Sequence, residues 1–253
     1  MNRTFSILLI LSIIVSGCKE EVVPLHLDEM SISEGDLDMC DDTPCPEVAI
    51  NYTVATGDET IASAINEQIV ETVCATLYLG EDDPPKGQTI QQAMEAFILG
   101  YQEDKEEFPD LDSEYTARIN VVESYVSDDL ISLLANQFMY TGGAHGYSSN
   151  YYLNLDRKTG EALSHDELFK DIDEFSQFAE NWFRNTFGIQ AEDTINATGF
   201  SFENETFHLP DAIGLTKNYI VLWYNPYDIA PYSQGPVEVL IPIKEAASYL
   251  AIQ

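Results

Sequence analysis

The segment Thr141-Gly142-Gly143-Ala144-His145-Gly146 holds an imidazole between small residues, where it can point out of a tight loop. Histidine changes charge near neutral pH, so such a side chain can act as a general base. Later in the chain, Asn225-Pro226-Tyr227-Asp228-Ile229-Ala230-Pro231-Tyr232-Ser233-Gln234-Gly235 offers a carboxylate and two phenols within a rigid stretch. His145 paired with Asp228 would make a small hydrolase acting on envelope material. The same residues, His145, Tyr227, Asp228 and Tyr232, would equally serve as a non-catalytic binding surface. A purely architectural reading is also open, with His145 bonded into its own turn and 225–235 plugging the end of a sheet. We expect a split, with Tyr227 and Pro231 structural, and Asp228 and Tyr232 nearer the surface beside the 141–146 loop.

Other chemistry is missing. The chain has no G-x-S-x-G, no H-E-x-x-H, no P-loop and no G-x-G-x-x-G after a strand. His26, His145, His165 and His208 do not form a metal-spaced pair, so no metal or cofactor is expected. Carboxylates are so frequent that a pair of them carries no information.

The cysteines say where the protein works. Arg3, the apolar run Ile7 to Val15 and then Val15-Ser16-Gly17-Cys18 have the order of a bacterial lipoprotein signal. The apolar run is too short for a finished membrane span. Residues 1–17 are therefore read as a signal peptide and Cys18 as the lipidated residue; an ordinary cleaved signal is the alternative. Lys19-Glu20-Glu21 resembles a surface-export signal of Gram-negative lipoproteins. The expected location is the outer membrane, facing the periplasm or the surface. Residues 18–45 are acidic and poor in apolar groups, the composition of a flexible tether. A tether of that length would hold a domain about 25–30 Å from its anchor. In an oxidising compartment Cys40 and Cys45 are expected to pair, with Cys74 a buried free thiol inside a helical pattern.

Charge restricts the partners. Against 44 acidic residues stand 11 basic ones, for a net charge of −33. Such a surface repels nucleic acid and anionic headgroups, and favours basic partners, divalent cations or simple solubility in a salty medium.

These residues need a scaffold, and the periodicities supply one. Val48 to Val54 alternates as a strand, and Thr56 to Glu59 reads as a capping box. Ile61, Ile65, Ile69, Val73 and Leu77 then recur every four residues along a helix. Thr89-Ile90-Gln91-Gln92 opens a second helix with Ala93, Met94, Phe97, Ile98 and Tyr101 inward. From Tyr115 the period becomes two, with strands expected up to Tyr140 and from Tyr147 to Leu155. Ser164 to Glu167 is a second capping box, and Phe175 to Thr186 a helix with an aromatic face. Short strands follow at Phe207 to Leu209, Tyr219 to Tyr224 and Val237 to Ile241, with a turn at Asp211 to Leu215 and a helix after Pro242. The pattern lacks a β-α-β repeat, so the fold class expected is α+β, with antiparallel sheets and helices packed on one face. Residues 46–253 form one domain, divisible into subdomains 46–140 and 141–253.

The 141–146 loop and the 225–235 stretch together resemble a bacterial extracytoplasmic domain family. That family forms the outer domain of the lysozyme-sensing anti-sigma factor RsiV and the accessory domain of the peptidoglycan deacetylase PdaC. The likeness covers roughly 45–250. The sequence shows neither a sigma-binding segment nor the zinc motifs of a deacetylase domain, so those activities do not carry over. What the resemblance implies is a non-catalytic envelope domain that binds a basic protein of lysozyme type or wall glycan.

Replacing Cys18 with serine is expected to leave the protein unlipidated and move it from the membrane to the soluble fraction. Unchanged fractionation would refute the lipid anchor.

Overall fold

The computed structural model describes residues 24–41, 43, 45–109 and 113–252. The expected signal peptide, Cys18 and the first residues of the expected tether lie outside them. The chain folds as α+β, with five helices and two mostly antiparallel sheets among the described residues.

The first sheet has five strands in chain order: β1 (His26–Ser33), β2 (Glu47–Thr56), β3 (Thr116–Val126), β4 (Leu130–Tyr140) and β5 (Tyr147–Asp156). Four adjacent hairpin-like pairs would all be antiparallel, but β2 and β3 run parallel. The cause is the connection: α1 (Glu59–Leu77) and α2 (Ile90–Glu107) carry the chain back across one face before β3 begins. Their buried stripes, Ile65, Ile69, Val73 and Leu77 with Met94, Phe97, Ile98 and Tyr101, close a core over Ile50, Ile119 and Val121. The cap of α1 is Asp58, which accepts from the N–H groups of Thr60 and Ile61 at 3.1 Å each, rather than the expected box from Thr56.

The acidic segment is not a tether from His26 onward. Composition predicts disorder there, yet β1 pairs with β2 along its whole length, from His26↔Thr56 to Ser33↔Ala49. An edge strand needs backbone bonds and a few apolar contacts, and Leu27 and Ile32 both pack against the first core. Its carboxylates stay exposed. Glu34 then accepts the Val48 N–H at 2.9 Å, and Leu37 is buried. Cys40 and Cys45 are joined by a disulfide with Cα atoms 5.6 Å apart, closing this arm beside β2. Cys74 is free and buried.

The second sheet is a meander of β6 (Ala212–Leu215), β7 (Tyr219–Tyr224) and β8 (Val237–Pro242). After the short α3 (His165–Leu168) comes α4 (Ile172–Phe187), which covers its outer face. There Phe183 meets Tyr224, Phe200, Phe202 and Phe207 edge-on. Such pairs add to area burial, which for each ring is about 1.5–3 kcal/mol. The last helix, α5 (Ile243–Ala246), is shorter than expected. Phe207 to Leu209 is not a strand, because it is held by ring burial and by the Tyr224 hydroxyl donating to the His208 carbonyl at 2.7 Å. Conversely, Asp211 to Leu215 is not a mere turn, since it contains β6. The expected split at residue 140 also moves: β5 completes the first sheet, so the two cores separate after it.

The sheets meet through β6, which crosses the face of the first sheet that the helices leave free. Gly214 lies against the Tyr152 ring, where an added Cβ would come within 1.8 Å. Ser132 accepts the Leu215 N–H at 3.2 Å, and Asn154 donates to the Ile213 carbonyl at 2.7 Å. At the outer edge of β5, the buried Asn225 carboxamide clasps one residue of backbone. Its Oδ1 accepts the Asn150 N–H at 2.8 Å and its Nδ2 donates to the Asn150 carbonyl at 3.0 Å. Trp223 Nε1 donates to the same Oδ1 at 3.1 Å.

Asn225→Leu strands the Asn150 N–H and C=O where water has little access. Each buried orphan costs about 1–3 kcal/mol, so a loss of about 3 kcal/mol is expected in urea unfolding. A loss below about 0.5 kcal/mol, the range of a plain surface change, would show that the clasp is not structural.

Candidate functional site

Asn225 also starts the turn that shapes the site. Its carbonyl accepts the Asp228 N–H at 3.1 Å, and its own N–H donates to Asp228 Oδ2 at 2.6 Å. Asn225-Pro226-Tyr227-Asp228 is thus a β-turn with proline at the second position. Tyr227 sits third, at φ +79°, where a type II turn calls for glycine. Its ring is 60% exposed. This reverses the expectation that Tyr227 is a buried structural ring. Pro231 is exposed as well. The chain turns so tightly after β7 that the side chain following Pro226 has no route inward.

Tyr232 and His145 behave differently. Tyr232 is half-buried, and its hydroxyl donates to the Gly146 carbonyl at 2.9 Å. Its ring stacks on the exposed His145 ring, centroids 4.0 Å apart and planes 15° from parallel. His145 Nδ1 lies 3.0 Å from the same Gly146 carbonyl. A carbonyl only accepts, so Nδ1 carries a proton and Nε2 is left to solvent or ligand. Tyr227 joins the stack, 5.5 Å from the Tyr232 ring.

The glycine loop makes this approach feasible. Gly142 and Gly143 hold φ at +99° and +91°, and a Cβ on Gly146 would strike the Phe138 ring at 2.4 Å. Tyr140 donates to the Gly143 carbonyl at 3.1 Å and steadies the loop. Two further tyrosines escaped the sequence reading. Tyr147 donates to the Pro226 carbonyl at 3.3 Å, and Tyr151 is exposed on β5, next in the chain to the clasped Asn150. Burial, and then Tyr151, Asp228 and Tyr227, push the Tyr147 phenol above its ordinary range. The signal for Tyr147 and Tyr151 was present in the sequence as a four-residue spacing along a strand, which places both on one face.

The pair needed for a hydrolase does not assemble. Among the described residues, no hydrogen bond joins His145 to a carboxylate. Asp228 is committed to the Asn225 N–H. Burial raises its pKa, the Asn225 amide opposes that, and Asp211 and His208 add smaller effects of opposite sign. No group of three or more metal-ligating side chains is placed to hold an ion among the described residues. Nor is any described helix long and apolar enough to cross a membrane. A cavity of about 400 Å³ lies elsewhere, between Glu71, Cys74 and the 83–88 loop.

Comparison with known proteins follows the same division of the chain. Residues 39–148 match the family model for the deacetylase PdaC, and residues 164–244 match that for DUF3298, a protein family of unknown function. The glycine loop falls in the first segment and the Asn225 turn in the second, so the stack of His145 on Tyr232 joins the two. The peptidoglycan-N-acetylmuramic acid deacetylase PdaC of Bacillus subtilis is 24% identical over 146 residues, covering 54% of this chain. The matched part is 31% of that protein, so the chain corresponds to about a third of its length. A DUF3298 member from Bacteroides fragilis superposes with a TM-score of 0.67 at 22% identity, covering 91% of this chain and 95% of its own. A Pseudomonas aeruginosa member gives 0.57 at 15% identity, covering 90% and 94%. At such identities these two structures establish the fold. The chain is thus similar to PdaC over residues 39–148 and to DUF3298 over residues 164–244, and it shares the fold of the two solved DUF3298 structures.

Proposed function

We propose that this domain is a non-catalytic binding module of the bacterial cell envelope, exported and lipid-anchored through Cys18. Its ligand docks on the aromatic patch of Tyr227, Tyr232 and His145. The observation that carries this reading is Tyr227 itself. A non-glycine residue at positive φ costs on the order of 1–3 kcal/mol, and a largely exposed ring returns little burial to offset it. Stability does not account for a tyrosine there, whereas a ligand does. Tyrosine suits interfaces because it covers much area with few rotatable bonds.

Two ligand classes agree with the molecule. A basic protein of lysozyme type fits the charge of −33, which steers cations toward the domain. Wall glycan fits the exposed rings, and the related PdaC is named for a peptidoglycan substrate. The hydrolase alternative loses support because His145 and Asp228 each have other partners.

Tyr227→Gly separates binding from folding. Glycine removes the strain at φ +79°, with its greater unfolded-state freedom taking back part of the gain. A stability increase of up to about 1 kcal/mol is expected. Capture of lysozyme or sedimentation with purified peptidoglycan is expected to weaken at least tenfold. If the variant binds as well as the parent, or the parent binds neither probe, the patch is not a ligand site.

A further inference from the structure

The free face of the first sheet carries a row of amides that no part of the fold uses fully. Strand register aligns Ser31 with Asn51, Asn51 with Asn120, Asn120 with Asn136, and Asn136 with Asn150, one residue from each of the five strands. Directly paired residues share a face, so these five side chains form a line across the sheet. Four strand spacings give it a length of about 19 Å. The row on one side, Val122, Leu134 and Tyr152, belongs to the part approached by β6. The row on the other side, Arg118, Phe138 and Ser148, is open. The amide line is therefore a shelf where the covered half of the sheet ends. Ser31, Asn51 and Asn136 are exposed and Asn120 is half-buried.

The amides are pre-set in pairs. Asn51 Nδ2 donates to Asn120 Oδ1 at 2.8 Å, and Asn136 Nδ2 donates to Asn150 Oδ1 at 2.6 Å. Each internal bond fixes the rotation of both carboxamides. It leaves Asn51 Oδ1, Asn120 Nδ2, Asn136 Oδ1 and Asn150 Nδ2 without a hydrogen-bond partner among the described residues. The three accessible amides thus present acceptor, donor, acceptor, while the buried Asn150 holds the Asn136 carboxamide from behind. The last member of the line, Asn150, is the residue clasped by Asn225, so the shelf ends at the Tyr227 turn. Beside it Phe138 lies under the Arg118 guanidinium, whose charge is met by a two-point bond to Glu47.

We propose that this shelf binds an uncharged N-acetylated glycan chain, with the asparagine row reading acetamido and hydroxyl groups and the aromatic patch stacking on the sugar at one end. The proposal rests on the aromatic patch being a ligand site and adds the ligand's chemistry. An acetamido group has one N–H and one C=O, which matches an alternating amide line. Sugar rings place C–H faces against aromatic rings and polar groups outward. The charge of −33 opposes polyanionic polymers, while an uncharged chain is indifferent to it. A peptide would instead pair with a strand edge through its backbone, and the row lies on a face, not an edge.

The test is titration of the isotope-labelled domain with the tetramer of N-acetylglucosamine, with cellotetraose and lysozyme as separate probes. The side-chain NH₂ signals of Asn120 and Asn136 are expected to shift with the acetylated sugar. Cellotetraose is expected to bind at least tenfold more weakly, and Asn136→Ser, a change at an exposed site, to reduce affinity for the acetylated sugar at least tenfold. Equal binding of both sugars, or an unaffected Asn136→Ser variant, overturns the proposal. So does lysozyme moving the asparagine signals while the sugar moves none. If the sugar is silent and lysozyme binding still depends on Tyr227, the row is refuted and the aromatic patch stands. If neither probe shifts any signal, both readings fall.

Discussion

Asn225 does with one carboxamide what another strand would do with its backbone. The N–H and C=O of Asn150 point out of the edge of β5, and a planar amide offers the matching donor and acceptor at the right separation. Because Asn225 is also the first residue of the turn after β7, the clasp sets where that turn stands relative to the first sheet. Burial makes the arrangement exacting. A hydrogen bond adds only about 0.5–1.5 kcal/mol when made, but leaving both Asn150 groups unpaired would cost more than that gain. Two other hydrogen bonds between the sheets, Ser132 with Leu215 and Asn154 with Ile213, follow the same logic of side chain to backbone across a buried seam.

The seam explains why a site forms at this end of the molecule. The glycine loop ends β4 and the Asn225 turn ends β7, so the clasp on β5 brings two chain-distant connections into contact. His145 then stacks on Tyr232, and both use the single Gly146 carbonyl. Tyr227 is pushed outward by the geometry of its turn. Rigid turns thus hold an exposed aromatic surface in a fixed orientation, and pre-organisation of this kind reduces the ordering cost of binding.

Among the described residues the acidic composition is accommodated without buried charge. Carboxylates line the edge strand β1, cap α1 and α4, and close turns, where solvent or backbone N–H groups meet them. Glu34 and Asp228 show the second pattern, each accepting one backbone N–H at a turn or strand start. Acidity therefore shapes solubility and the sign of the surface field, and the cores remain apolar.

Periodicity alone located β2 to β5, α1, α2, α4, β7 and β8, because a half-buried element must repeat at its own geometric period. The capping box at Ser164 was legible for the same local reason. The residues of the site were legible as a list, through the unusual density of glycine, proline and tyrosine in two loops. The chain order did not say that the β2–β3 pair runs parallel, nor that the acidic arm adds a strand, since both depend on which partner a backbone edge finds. Nor did it say which tyrosine faces solvent. Tyr227 and Tyr232 stand in similar local sequence, and only the turn closed by Asp228 and the carbonyl of Gly146 assigns one outward and one inward. The asparagine row was invisible along the chain, because its members lie on five strands and share a line only through register, which long-range hydrogen bonding decides.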